Sequence, residues 1–416
     1  MLVHSQPTPV DETRSYHFNR ARPIVRARRH GVRVRRSCGA LATFVTVACA
    51  GDREAPTAPD RVSDRSASVS WEAVEAGAAA LSVRPRMIET TTYDGSGQSV
   101  HPDVVLFPAP WHGSKHWVAM TPYPFGNSGY ENPSLLVSEE GTLLETPHGI
   151  VNPLVPMPLA PAYNSDPDLT YDARFDRLVL SYRVVASGYN TIMIMSSADG
   201  QAWSAPHVAF RESGNRAVSQ SIVPSQEGRS AMVWYVDAGN EGCSAKSTRV
   251  MMRRASSSDV RLDSADWQSG VETDLAQPGY VVWHMKVEFV PSKNEYWALY
   301  VAYPADGRSC RDDDLFMARS KDGVHWLTYT RAVLRHERRQ WTAGALYRSS
   351  FVYDPQTDAL RVWLSAVDAK QAWHLGYAQF RLASLFAHLA VSGRRKNDVS
   401  AAPPVRTAGA DWRIAP

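Results

Sequence analysis

The chain has no run of 18 or more apolar residues, so no ordinary membrane-spanning helix is expected. It has four cysteines, and no Cys/His cluster has zinc-ligand spacing, which excludes a zinc-built fold. Helical patterns of roughly 10–15 residues are few, which argues against an alternating α/β architecture. Charged residues are 21% against 44% hydrophobic, so wholesale disorder is excluded and a sizeable core is possible. What is plentiful points the other way. Thirteen Trp, 17 Tyr and 11 Phe suit β-strands, and 25 Gly with 27 Pro imply many turns.

Charge is unevenly placed. Residues 1–36 hold nine Arg against Asp11 and Glu12, so the formal +3 of the whole chain conceals a net-negative remainder. A charge-free stretch, 37–48, follows, and then Ala48-Cys49-Ala50-Gly51. That order reads as an export signal, 1–48, with lipidation at Cys49, although Thr46 stands where lipoprotein signals usually carry Leu. The alternative is a basic arm for nucleic acid. The export reading predicts a cell-envelope protein, either held to the membrane by its lipid alone or secreted, without a nucleic-acid partner. Residues 49–94 read as tether and lead-in, and 393–416 as a loose polar tail. Cys243 and Cys310 are then the two cysteines left in the mature domain, both in polar loops, and are expected to pair.

Between these ends a unit recurs every 50–65 residues or so, the length of a propeller blade. First strands are read at 101–107, 166–172, 219–225, 284–290 and 347–353, each followed by two further β-rich runs. Two third strands end in a shared turn, Ser197-Ala198-Asp199-Gly200-Gln201-Ala202-Trp203 and Ser320-Lys321-Asp322-Gly323-Val324-His325-Trp326, and Ser138-Glu139-Glu140-Gly141 is a degenerate copy. The expected fold is all-β: a five-bladed β-propeller of four-stranded antiparallel blades, spanning 95–392, monomeric.

In a propeller the first strands line the central channel, and ligands collect where the blades converge. The openings of those strands carry His101 and Asp103, Asp166 and Asp168, Ser219 and Ser221, His284 and Lys286, and Arg348 and Ser350. Residues i and i+2 share a face, so each pair points to the axis. Loops joining second to third strands return to the same mouth with Glu131 and Arg183, and Trp111, His112 and Tyr123 are candidates for aromatic walls. These residues make either a satisfied polar plug or a site for a polar ligand such as a sugar.

The Asp-Pro opening at Asp166, the His101-Pro102-Asp103 opening and the Ser-x-Asp-Gly-x-x-Trp turns resemble the five-bladed propeller glycoside hydrolases of families 43 and 32. The turns are also similar to the sialidase Asp-box, one residue short between Asp and Gly. The family 43 likeness implies a base, a tuning Asp and a Glu acid on blades one to three. Asp166 matches the tuning Asp, His101 occupies the base position with Asp103 two residues further in, and Ser219-Gln220-Ser221 supplies no Glu. Glu131 is the available replacement for that acid. The resulting expectation is a glycoside hydrolase with Asp103, Asp166 and Glu131 catalytic, and His101, Asp168, Arg183, His284, Lys286 and Arg348 binding a carbohydrate. The alternatives are a non-catalytic sugar-binding propeller and a sialidase-like exo-hydrolase, which would need an Arg cluster that Arg348 and Arg183 only begin. No cofactor or metal is assigned. A channel Ca2+ is allowed by the Asp oxygens but not indicated by spacing.

Overall fold

The computed structural model describes residues 83–224, 230–255, 261–307, 310–337 and 340–390. The leader, Cys49, most of the tether and the tail lie outside the described residues.

First in the chain is β1 (Arg86–Ile88). Blade one follows with β2 (Ser99–Trp111), β3 (Ser114–Pro122) and β4 (Ser134–Ser138). Blade two has β5 (Tyr163–Asp172), β6 (Arg177–Ala186), β7 (Tyr189–Ser197) and β8 (His207–Ser213). Blade three has β9 (Val218–Pro224), β10 (Ala231–Asp237), β11 (Arg249–Arg254) and β12 (Val271–Glu272). Blade four has β13 (Tyr280–Val290), β14 (Glu295–Pro304), β15 (Asp314–Ser320) and β16 (Trp326–Thr328). Blade five has β17 (Ala345–Asp354), β18 (Ala359–Val367) and β19 (Trp373–Arg381), and α1 (Leu382–Ala390) follows.

Every blade is an antiparallel meander, so the five-bladed propeller is the fold. Two details differ from expectation. Blade one has three strands, its fourth reduced to a single bridge, Val137 to Glu145. There the Asn152 carboxamide substitutes for a strand: its oxygen accepts from Leu135 N and its nitrogen donates to Leu135 O, both at 2.9 Å. The propeller also reaches back before residue 95. β1 completes blade five by pairing with β19 (Met87 opposite Gly376), so the ring is shut by the first and last of the described strands.

The core lies between blades. Val118, Met120 and Leu136 of blade one pack with Trp363 and Leu375 of blade five, and similar clusters fill the other gaps. The recurring turns seal these gaps. Ser197, Ser320 and Ser138 each accept the following glycine's N–H at 2.8 Å, and Asp199 and Asp322 accept the next two amides. Each glycine then lies against a tryptophan from the second strand of the preceding blade: Gly200 against Trp117, Gly323 against Trp234, Gly141 against Trp363. Trp234 and Trp363 also donate their indole N–H to Gly323 O (2.7 Å) and Gly141 O (2.6 Å). Gly323 has φ +77°, and a Cβ there would sit 2.4 Å from the Trp234 ring. Gly323→Ala should therefore cost about 2–4 kcal/mol, from overpacking plus left-handed strain. A denaturation midpoint equal to wild type would contradict the clasp.

Cys243 and Cys310, in mouth-side loops of blades three and four, form a disulfide with Cα atoms 5.5 Å apart.

Candidate active site

All five first strands are irregular at their openings. Register shifts fall between Val100 and Asp103, Ser165 and Asp168, Val282 and His284, and Leu346 and Ser349, and in blade three on β10 opposite β9. In blades one to three the residue at the irregularity is left-handed: His101 (φ 54°), Asp166 (φ 49°) and Ser219 (φ 53°). Bulges re-aim side chains, and such backbone strain clusters at functional sites. The result is two layers of axial side chains, one at the mouth and one two residues deeper.

The deeper layer is a polar plug of paired charges, in which Arg348 Nε and Nη1 nonetheless lack a hydrogen-bond partner. Lys286, fully buried, places Nζ 3.0 Å from Asp103 Oδ2, 2.9 Å from Asp168 Oδ1 and 3.2 Å from Glu288. Arg348, also fully buried, donates to Gln220 O at 3.0 Å and approaches Asp168 (3.4 Å) and Asp103 (3.5 Å). Ser350 donates to Asp103 Oδ1 at 3.0 Å, and Ile222 N donates to Asp168 Oδ2 at 2.9 Å. Burial pushes Asp103 up to about 7. Burial would raise Asp168 too, but Lys286 and Arg348 hold it down. For Lys286, burial works against the charge and is outweighed by Asp103 and Asp168, which raise its pKa. Expected as a catalytic carboxylate and as sugar contacts, Asp103, Asp168, Lys286 and Arg348 instead have their charges directed at one another at zero exposure. Blade three presents serines here, not a Glu. Ser219 and Ser221 hydroxyls bridge to the backbone of Met285 and Val287, joining first strands that have no ladder between them.

The mouth layer differs. His101, Asp166 and His284 each offer a ligand atom, and these atoms lie within 4.8 Å of one another. His101 Nε2 is 3.2 Å and His284 Nδ1 is 3.6 Å from Asp166 Oδ1. Yet His101 Nε2, Asp166 Oδ1 and both ring nitrogens of His284 are buried without a hydrogen-bond partner. Asp166 Oδ2 is held separately, by Ser219 N at 3.0 Å, with Arg183 Nε 2.8 Å away. Burial would raise the Asp166 carboxyl, but Arg183 overrides it and keeps the group ionised, well below the usual carboxylate range. Burial lowers His101 to about 3 and holds His284 well below its ordinary value, so both imidazoles are neutral. An ionised carboxylate and two neutral imidazoles are the protonation states in which these groups bind a metal ion. Unmatched buried polar atoms are costly, and a divalent cation would satisfy all three ligands. Two imidazoles with one carboxylate favour a transition-metal dication over Ca2+.

Glu131 completes the mouth. The loop between β3 and β4 delivers it to within 3.7 Å of His101 Nδ1, where it accepts a hydrogen bond from Ser165. Burial raises it to about 8. A wall of aromatic rings leads outward. His284 meets Tyr347 (centroids 4.2 Å), Tyr347 meets Trp373 (5.0 Å), and Trp373 meets Tyr123 (5.2 Å).

Sequence reasoning thus brought His101, Asp166, Glu131, Arg183 and His284 to one place. It missed Tyr347 and Trp373, although Tyr347 directly precedes Arg348 in a strand already read as axial. Trp111 and His112, read as mouth aromatics, lie in the β2–β3 hairpin at the far end, where Trp111 donates to Asp176. At that end the channel widens into a cavity of about 850 Å3 lined by Val105, Leu106, Tyr171, Phe289 and Tyr353 among others.

No family model matches the chain. It is 27% identical over 317 residues to the A type blood N-acetyl-alpha-D-galactosamine deacetylase of Flavonifractor plautii, across 65% of this chain. It spans only 40% of the length of that relative. A crystal structure of an N-acetylgalactosamine deacetylase from F. plautii in complex with blood group B trisaccharide superposes with a TM-score of 0.67 at 24% identity, over 74% of this chain and 97% of that one. A structure described as a glycoside hydrolase gives 0.50 at 12% identity, over 75% and 95%. These likenesses establish a shared five-bladed fold.

Proposed function

We propose that this propeller is a carbohydrate-active hydrolase that removes the acetyl group from an N-acetylated amino sugar, with His101, Asp166 and His284 holding a divalent cation. The observation that carries the reading is the convergence of unpartnered, buried ligand atoms on these three side chains, already in their ligating protonation states. The deacetylase relative supports the choice of reaction. A cation bound there would polarise the amide carbonyl and acidify a water molecule. The chain's own residues supply the rest. Arg183 and Ser219 N fix Asp166, so the oxygen facing the histidines stays available. Glu131, oriented by Ser165, is placed to take the proton of the attacking water and pass it to the departing amine nitrogen. Tyr347 and Trp373 wall the pocket against the apolar face of a sugar ring.

Glycosidase chemistry is the second reading, favoured by one observation: Glu131 is raised while Asp166 is kept ionised, the split expected of an acid and its partner. The two readings make opposite demands on Glu131. As a base for deacetylation it must be ionised, so kcat/KM should fall as pH drops, with an acid limb no higher than about 8. As a glycosidic acid it must be protonated, so activity should fall as pH rises through that value. Acetate release and reducing-sugar release from N-acetylhexosamine glycosides, each followed against pH, separate the two. Metal-replete protein that releases no acetate from any amino sugar would end the first reading. We propose from the order of the leader that the protein is exported to the cell envelope, and Cys49→Ala should then free it from membranes.

A further inference from the structure

The first strands carry a third axial layer. Two residues beyond the plug they present Val105, Thr170, Val223, Glu288 and Val352, one from each blade, on the face shared with Asp103, Asp168, Ser221, Lys286 and Ser350. All five line the far-end cavity of about 850 Å3, a volume within the range of small-molecule sites. Four of the five are β-branched and uncharged. The fifth is an acid.

Glu288 is held by one oxygen. Its Oε1 lies 3.2 Å from Lys286 Nζ, and its side chain is 33% exposed within the cavity lining. Lys286 is already shared with Asp103 (3.0 Å) and Asp168 (2.9 Å), and Arg348 reaches those same two carboxylates. Three carboxyl groups therefore stand against two cations, with Glu288 at the open edge of the cluster. Burial raises the Glu288 carboxyl, and Lys286 offsets this only in part. The other charged lining residues do not restore the balance. Asp172 is a second acid, and Arg174 is exposed, with its guanidinium 5.3 Å from the Phe175 ring. Tyr171, Phe289 and Phe351 continue the apolar wall around the acid. A carboxylate short of cations, set in an apolar cavity, is complementary to an ammonium group on an apolar body.

We propose that the far-end cavity is a second ligand site, separated from the mouth by the plug, which takes an organic amine with its ammonium on Glu288 and its hydrocarbon body against the valine layer. The ammonium donates to the carboxylate oxygen that Lys286 leaves open and supplies the third cation of the cluster. The site is independent of the mouth chemistry and stands whether or not the protein is a deacetylase.

The test measures Kd of the full chain for hexylamine, hexan-1-ol and hexanoate, which share one chain length and differ in head group. Wild type should bind hexylamine more tightly than hexan-1-ol by roughly tenfold or more, the usual size of a charge-assisted hydrogen bond, and hexanoate weakest of the three. Glu288→Gln should bring the amine-to-alcohol ratio toward one. It leaves Lys286 and Arg348 facing Asp103 and Asp168, two cations to two carboxyl groups, so the fold should survive, and cooperative unfolding checks this. Val352→Phe keeps the acid and fills the cavity from the same layer, so it should weaken amine and alcohol together. Equal wild-type affinities for hexylamine and hexan-1-ol, a ratio unmoved by Glu288→Gln, or hexylamine binding unmoved by Val352→Phe would each overturn the site.

Discussion

Replacing His284 by alanine should abolish divalent-cation binding and lower acetate release by about 10^3-fold or more, since the electrophilic contribution of a metal ion is several kcal/mol. The fold should survive. Both ring nitrogens of His284 lack partners, so the substitution strands no hydrogen bond, and cooperative unfolding measured beside activity checks this. His101→Gln should behave alike, because it keeps the interaction with Thr121 at ring position Nδ1 in part while losing Nε2. A His284→Ala protein that binds the cation as wild type does, or turns over at the wild-type rate, would remove the metal centre from the account. Titrating the chelated protein with Mn2+, Co2+ and Zn2+ would show which ion restores function.

Lys286→Met should have the largest effect on stability. It leaves Asp168 and Asp103 facing each other with Arg348 as their remaining cation, at zero exposure. Breaking a buried ion pair from one side typically costs about 3–5 kcal/mol. Adding Asp168→Asn to Lys286→Met should recover part of that loss, because the uncompensated charge goes with it. Asp103→Asn gives the sharpest contrast with the glycosidase expectation. In the plug, its carboxamide still accepts from Ser350, and turnover should track the folded fraction. As a catalytic base, Asp103 would take turnover with it while the fold stayed intact.

This contrast shows what was legible in the chain. The alternation of polar residues at i and i+2 in five strand openings announced that polar groups face the axis, and they do. Depth was invisible. His101 and Asp103 share a face, yet one meets the substrate side and the other meets Lys286, because a strand advances about 6–7 Å over two residues. No local signal separates a mouth residue from a plug residue. The left-handed bends at His101, Asp166 and Ser219 were equally hidden, since none of these positions is glycine. Glu131 was legible through loop topology alone, whereas Tyr347 and Trp373 required knowing that blade five stands beside blade one. His101 and His284 were read as carbohydrate contacts, because the ligands of the proposed metal site are spread over three blades and leave no spacing motif.

The pairing of β1 with β19 has a consequence for synthesis. Met87 is made before every blade, and its partner Gly376 follows about 290 residues later. At typical elongation rates of about 5–20 residues per second, β1 stays without its partner strand for tens of seconds. Blades one to four can condense as their meanders emerge, but the ring is an open arc with exposed edges until the final hairpin arrives. A nascent chain of this topology is a client for holding factors in a way that the finished propeller is not. Loss of β19 should be damaging beyond its nine residues, because it leaves β1 and β18 unpaired at once.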